Sequence, residues 1–500
     1  MTHNIWSQKW GFFDGSPENF NIAHECVDRH PGDRTAIRIK FDDGKREVYT
    51  FKEISRLTSQ FANMLERIGV DKKEPVAIML PPSLEFYVSL LGTIKRGAVA
   101  IPCSPLFGLE ALAFRIKDSG ANTLIANKEQ IKLIDLNLVS HLIVSEEVGK
   151  MIQGESEYYE TGTSADDPAL VQYSSGTTGT PKSVICKHKA IVVQAPLLVY
   201  LKDESYFCPS SPAWGHGIWY GTIGPLIFGT SIGVYSGKFN PEVVLEALEE
   251  FEVTVIAAAP TVYRMLINSG KIDNYTLRLK MLLYTGEFME KELTRFLLKE
   301  FDAPIIGAYG STELGPILLS SVTKLDDPKL GSLGMSLPGL KVAVLDEEGN
   351  ELPPGEVGQI SVWRKGRWLK AGDAAYIDED GYFWYKGRVD DIIISGGYTI
   401  GPDEIENVLL KHPAISEVGV IGVPDKERGK IVKAIIKLNP GFEPTEELKK
   451  RLKDYIKGRL SKHEYPRKIE FVKQLPKTAD GKIKRKELRE REPSVDYNTG

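Results

Sequence analysis

Between residues 51 and 126 the apolar positions switch repeatedly between two periods. Ile54, Leu57, Phe61 and Leu65 recur at intervals of three or four, which predicts an amphipathic helix over 51–66. The apolar run Val76-Ala-Ile-Met-Leu80, stopped by Pro81-Pro82, predicts a buried strand. The alternation continues, with 86–94 and 109–116 reading as helix and 98–101 and 123–126 as strand. Strands alternating with helices predict parallel sheets covered by helices. Residues 341–345 and 355–363 read instead as short strands joined by turns, a β-rich subdomain. Beyond Asp390-Asp391, Gly401-Pro402 opens a helix whose apolar face is Ile405, Val408 and Leu409 and whose end is His412-Pro413. Strands over 418–423 and 431–438 and a helix around 445–459 complete a compact unit. The expected architecture is therefore an α/β N-terminal domain, residues 1–389, with parallel sheets, helices and the β-rich subdomain. A hinge joins it to a small α+β C-terminal domain, residues 390–500.

Composition changes this picture only by exclusion. The 500 residues are 42% hydrophobic and 26% charged, with a formal net charge of −5, the balance of a globular protein too long for one core. Nothing in that balance calls for nucleic acid or an acidic membrane as partner. Locally, basic residues outnumber acidic ones over 449–491, as in Lys482-Ile-Lys-Arg-Lys486, which suits a solvated helical face or a surface for phosphates. Cys26, Cys103, Cys186 and Cys208 form no C-x-x-C pair and the eight histidines no H-E-x-x-H, so neither disulfides nor zinc are expected. The start, Met1-Thr-His-Asn-Ile-Trp6, lacks the basic and apolar regions of a signal peptide, and no run of about 18 apolar residues exists. A cytoplasmic protein without a membrane partner is the expectation, and a homodimer stays open.

The chemistry begins at Tyr173-Ser-Ser-Gly-Thr-Thr-Gly-Thr-Pro-Lys182, flanked by two apolar stretches that read as strands. Two glycines, five Ser/Thr hydroxyls and a lysine suit a loop that holds phosphate, because glycine lets backbone N–H groups approach an anion closely. The P-loop of NTPases needs glycine immediately before its lysine. Here Pro181 stands there, and a residue without an N–H cannot complete that cradle.

This loop resembles the phosphate loop of the adenylate-forming superfamily, which includes acyl-CoA synthetases, aryl-CoA ligases, luciferases and peptide-synthetase adenylation domains. Further motifs of that superfamily follow in order: Tyr309-Gly-Ser-Thr-Glu313, Ala371-Gly-Asp373, Gly387-Arg-Val-Asp-Asp391 and Pro476-Lys-Thr-Ala-Asp-Gly-Lys482. The resemblance implies a carboxylate that attacks the α-phosphate of ATP, forming acyl-AMP and pyrophosphate, and a coenzyme A thiol that then expels AMP. It assigns Ser174, Ser175, Gly176, Thr177, Thr178, Gly179 and Lys182 to the phosphates, and Gly286, Glu287, Tyr309 and Gly310 to the nucleotide. Asp373 would accept from the ribose hydroxyls and Arg388 bind ribose or phosphate. Lys482, Thr312 and Glu313 would be catalytic, Glu313 also holding Mg²⁺. Asp390 corresponds to the pivot about which the small domain rotates, and Ser395, Gly396 and Gly397 would then face coenzyme A. The chain departs from the usual pattern at Ser183, Phe288, Ala371 and Thr399.

Within the same resemblance, Trp214, His216, Gly217 and Gly310 would shape the acid pocket, with Trp219 and Pro260-Thr261 nearby. Acetate-specific relatives carry tryptophan three residues before the motif glutamate, where this chain has Gly310. A pocket deeper than acetate needs is therefore expected, for a short branched, medium-chain or aryl acid. The chain stops shortly after the lysine motif, which favours free coenzyme A as acceptor. A stand-alone enzyme that loads a carrier protein, and a catalytically silent nucleotide binder, are the alternatives.

Overall fold

The computed structural model describes residues 9–132, 135–174, 181–395, 398–425, 429–457, 459, 465–477 and 483–492. The chain falls into two compact units, residues 1–331 with 337–339, and residues 332–336 with 340–500. Compactness thus divides it at 331–340, not at the expected boundary of 389/390.

In the first unit, helix Phe51–Arg67 starts where Thr50 and Glu53 cap each other's backbone N–H groups. Its 3.6-residue spacing puts Ile54, Phe61 and Leu65 on one face, all fully buried, each contributing about 1.5–3 kcal/mol by leaving water. Helix Leu84–Arg96 is capped by Ser83 and ended by Gly97 in the left-handed region. Between and after these helices, strands His141–Val144, Thr123–Ala126, Pro75–Met79, Val99–Cys103 and Pro168–Ser174 line up in parallel, and Lys182–Lys187 closes the edge as an antiparallel hairpin. Helix Leu109–Ser119 covers this sheet through Leu112 and Ile116.

A second sheet of this unit has at its centre the parallel strands Ile305–Ser311, Met281–Tyr284, Val255–Ala257, Ser205–Cys208, Ser231–Ser236 and Thr35–Phe41, in that order. Strand Gly315–Val322 pairs antiparallel with Ile305–Ser311 at one end, and Arg46–Thr50 with Thr35–Phe41 at the other. Helices Pro241–Glu250, Pro260–Asn268 and Lys291–Phe301 bury Leu245, Leu248, Leu266 and Leu297 against Ile256 and Leu282. The parallel sheets with helices are those the alternating periods imply.

The second unit starts with the antiparallel meander Val342–Leu345, Gly358–Arg364, Arg367–Ile377 and Phe383–Arg388. A further sheet pairs Tyr398–Ile400, Ile393–Ser395, Gly429–Leu438 and Ile415–Asp425, with Lys468–Phe471 parallel to Gly429–Leu438. Helices Pro402–Leu410 and Glu446–Lys457 cover it, closing a core of Ile393, Ile405, Leu409, Val420, Ile436 and Leu452. Among the described residues no helix is long and apolar enough to cross a membrane.

Candidate active site

Open parallel sheets bind ligands beyond the carboxyl ends of their strands. Ser205–Cys208, Val255–Ala257, Met281–Tyr284 and Ile305–Ser311 run parallel, so the segments leaving them share one edge. Those segments carry Trp214 and His216, Thr261, Gly286 and Glu287, and Thr312 and Glu313. Residues scattered over a hundred positions are gathered there by topology alone.

The motif Tyr309–Glu313 continues strand Ile305–Ser311 into a tight hairpin. Ser311 pairs with Gly315 across residues 312–314, and the register shifts between Tyr309 and Gly310. That bulge and the short loop put Thr312 and the exposed Glu313 at the tip, where the Leu314 N–H donates to Ser311 Oγ at 3.2 Å. A Cβ on Gly310 would lie 2.0 Å from the Gly315 carbonyl oxygen. Glycine is thus demanded by the close approach of two backbones.

Below the hairpin lies a cavity of about 20 Å³ whose walls include Tyr200, His216, Tyr220, Tyr284, Ile306 and Ala308. His216 opens a π-helical segment, His216–Ile223, a conformation frequent at functional sites. Its Nδ1 shares a hydrogen bond with Ser210 Oγ at 3.0 Å, and burial pushes its pKa down to about 4. The ring is therefore neutral near pH 7 and does not place a charge against the cavity. Gly217 packs under the Ser211 carbonyl. Trp214 stacks edge-on against Phe107, ring centroids 5.9 Å apart, while the buried Trp219 donates from Nε1 to Gln172 Oε1 at 2.8 Å. Glu287 is held by Thr261, whose Oγ1 donates to Oε2 at 2.7 Å, and by Arg264 at 3.6 Å.

Gln172 sits on strand Pro168–Ser174, whose last residue, Ser174, faces Lys182 across the hairpin. Lys182 is exposed. Ser175, Gly176, Thr177, Thr178 and Gly179 lie outside the described residues, as do Gly396, Gly397 and Lys482.

In the second unit, Asp373 and Arg388 are register partners on neighbouring strands, and Arg388 Nη1 donates to Asp373 Oδ1 at 3.1 Å. The guanidinium lies over Gly372, at φ 84°, where any Cβ would be within 2.8 Å of it. Burial works against the charge of Arg388, but Asp373 and Asp390 outweigh it and hold the pKa above its ordinary value. Ser395, almost wholly buried, ends its strand opposite Gly429. The residues flanking Lys482 are tied down: Lys477 and Ile483 form an antiparallel bridge, the Lys484 N–H donates to the Pro476 carbonyl at 2.9 Å, and Lys477 pairs with Glu417 at 2.9 Å.

Sequence reading missed the three tyrosines around His216, Ser210, and the Thr261–Arg264 support of Glu287. None lies within a motif; only the strand order brings them to the edge.

The AMP-binding enzyme family matches residues 23–369, and the AMP-binding enzyme C-terminal domain matches residues 404–482. The acetyl-coenzyme A synthetase of Bacillus subtilis (strain 168) is 36% identical, over 96% of this chain and 92% of that protein. The mitochondrial acyl-coenzyme A synthetase ACSM3 of Rattus norvegicus is 31% identical, over 98% and 93%. The crystal structure of the anthranilate CoA ligase AuaEII in complex with anthranoyl-AMP superposes with a TM-score of 0.84 at 28% identity, covering 95% of this chain and 98% of that one.

Proposed function

The chain belongs to the AMP-binding enzyme family, and from that premise we propose that it is an AMP-forming ligase joining a short carboxylic acid to coenzyme A. The observation that carries this reading is that one strand both borders the cavity and runs into the motif assigned to the nucleotide. Ile306 and Ala308 line the cavity, and the next residues, Tyr309–Ser311, enter the nucleotide motif. An acid seated there would reach with its carboxylate toward the edge to which we assign the α-phosphate.

In the first step a carboxylate oxygen attacks the α-phosphorus, the bond to the bridging oxygen breaks, and pyrophosphate leaves with its electrons. Charge grows on phosphate oxygens, so fixed donors and cations supply most of the rate. We assign that work to Thr312 and Lys482, with Thr177, Thr178, Gly179 and Lys182 holding the departing pyrophosphate. Tyr309 would lie against adenine and Asp373 would accept from ribose. Mg²⁺ would enter with the phosphates and take one oxygen from Glu313. In the second step the pantetheine thiolate attacks the acyl carbon and AMP leaves. Rotation of residues 390–500 about Asp390 would exchange Lys482 for the Ser395-Gly396-Gly397 segment between the steps.

The cavity bounds the acid. About 20 Å³ is room for roughly one water, so any acyl group requires wall side chains such as Tyr200 or Tyr220 to move on binding, and the displacement grows with the acid. That favours a short branched acid over a medium-chain or aryl one. The test is acid-dependent ATP–pyrophosphate exchange over acetate, propanoate, 2-methylpropanoate, hexanoate, benzoate and palmitate. Highest kcat/KM among the three- to five-carbon acids is expected. Preference for palmitate or benzoate would overturn the size assignment, and exchange without coenzyme A-stimulated AMP release would move the reading to carrier loading.

A further inference from the structure

Arg485 opens helix Arg485–Glu490, with Lys484 before it and Lys486 after it. Cations there oppose the helix dipole, and Lys484 offers no side-chain cap. What holds Arg485 in this place is a set of carboxylates. Its side chain is 14% exposed. Nε and Nη2 donate to the two oxygens of Glu406 at 3.0 and 2.6 Å, Nη2 also to Asp403, and Nη1 to Asp391 at 3.1 Å. Arg489, one turn on, donates to the other oxygen of Asp391. Glu406 is itself fixed by the Val420 N–H at 2.6 Å, and burial pushes its pKa up to about 7 although Arg485 pulls it down.

The residues on either side of Asp390 are anchored in opposite directions. Before it, Arg388 is held by Asp373, and the Val389 N–H donates to the Gly372 carbonyl at 3.0 Å. After it, Asp391 is held by Arg485 and Arg489. The described ties across the pivot include neutral ones, the Asp391 and Ile392 N–H groups to the Arg388 carbonyl at 3.0 and 2.9 Å, and a long Arg388–Asp390 pair at 3.8 Å. Charge-assisted hydrogen bonds are about twice as strong as neutral ones, so a turning force at Asp390 breaks the neutral ties first.

We propose that Arg485 is a positioning residue: by locking its helix to Asp391 it confines the rotation to Asp390 and makes Lys482, three residues before it in sequence, travel as one piece with the segment that leaves the pivot. The inference rests on the two-step reading above. Arg485 touches neither substrate nor reacting atoms; it acts through the placement of the lysine.

The experiment uses the full-length enzyme. Acid-dependent ATP–pyrophosphate exchange reports adenylation, and acyl-CoA formed from supplied acyl-adenylate reports the second half-reaction, in which Lys482 has no part. Arg485→Gln is expected to lower exchange by about a hundredfold, the loss typical of a misplaced catalytic group, with the KM for ATP little changed. Thioester formation should stay within about twofold. Because Arg485→Gln leaves three carboxylates facing one arginine, a second variant, Arg485→Gln with Glu406→Gln, restores the charge balance. Its melting temperature is expected to return toward that of the unaltered enzyme while its exchange stays low. Exchange that recovers together with the melting temperature, or equal loss in both half-reactions, would overturn the proposal by reducing Arg485 to a structural role. No exchange in the unaltered enzyme would instead defeat the functional reading, whereas normal exchange in Arg485→Gln defeats this inference alone.

Discussion

His188 is fully buried, and the Ile22 N–H donates to its Nδ1 at 3.1 Å. Only a neutral ring can accept that bond. Burial accordingly pushes the pKa of His188 down to about 4, well below the 6.5 of the unfolded chain. Between those values the unfolded chain binds a proton that the native state refuses, so stability falls as pH drops from about 6.5 toward 4, by up to about 1.4 kcal/mol per pH unit. Urea unfolding midpoints should therefore decline between pH 7 and pH 5, and His188→Gln, whose amide oxygen can still accept, should flatten the decline. A midpoint as steep in the variant as in the parent would contradict this assignment. Gly310 makes a second residue-scale case. Gly310→Ala drives a methyl into the Gly315 carbonyl and should cost about 1–3 kcal/mol, read as a fall in melting temperature, without widening the acids accepted.

Among the elements, the π-helical segment His216–Ile223 and strand Pro168–Ser174 are joined by the Trp219–Gln172 hydrogen bond. One borders the cavity lined by Tyr200 and Tyr220, and the other precedes in sequence the segment we assign to the phosphates. Trp219→Phe keeps most of the packing and removes the bond, leaving the Gln172 oxygen with only the weak Cys186 thiol contact at 3.9 Å, for a loss of about 1–3 kcal/mol. If the two elements register each other through it, KM for the acid and for ATP should both rise; a change in stability alone would limit the bond to packing. The elements also show what a sequence can and cannot display. Helix Phe51–Arg67 was legible because Ile54, Phe61 and Leu65 repeat at helical spacing, and Pro75–Met79 because an apolar run ends at two prolines. Residues 216–223 are apolar all round and rich in glycine, so no period announces their helix. Strand Arg367–Ile377 mixes charge, aromatic ring and glycine without alternation, and only the motif Ala371-Gly-Asp373 within it was visible. The cavity walls and the carboxylates around Arg485 come from distant parts of the chain, and no local pattern records that meeting.

At the scale of the whole molecule, the order of motifs and the relatives agree on an acyl-CoA ligase, for which we propose two half-reactions. In the proposed mechanism Lys482 serves the first and withdraws for the second. Lys482→Ala is accordingly expected to reduce adenylation by at least a thousandfold, a large share of what fixed cations supply to phosphoryl transfer, while acyl-CoA still forms from supplied acyl-adenylate. Loss of both in a folded variant would contradict alternation about Asp390. The most direct measurement is the product balance. Enzyme, ATP, Mg²⁺, 2-methylpropanoate and coenzyme A are mixed, and AMP, pyrophosphate and acyl-CoA are quantified together by chromatography and mass spectrometry. Equal amounts of all three, with sustained turnover only when coenzyme A is present, are expected. ADP in place of AMP, or AMP without a matching thioester, would contradict an AMP-forming acid–CoA ligase.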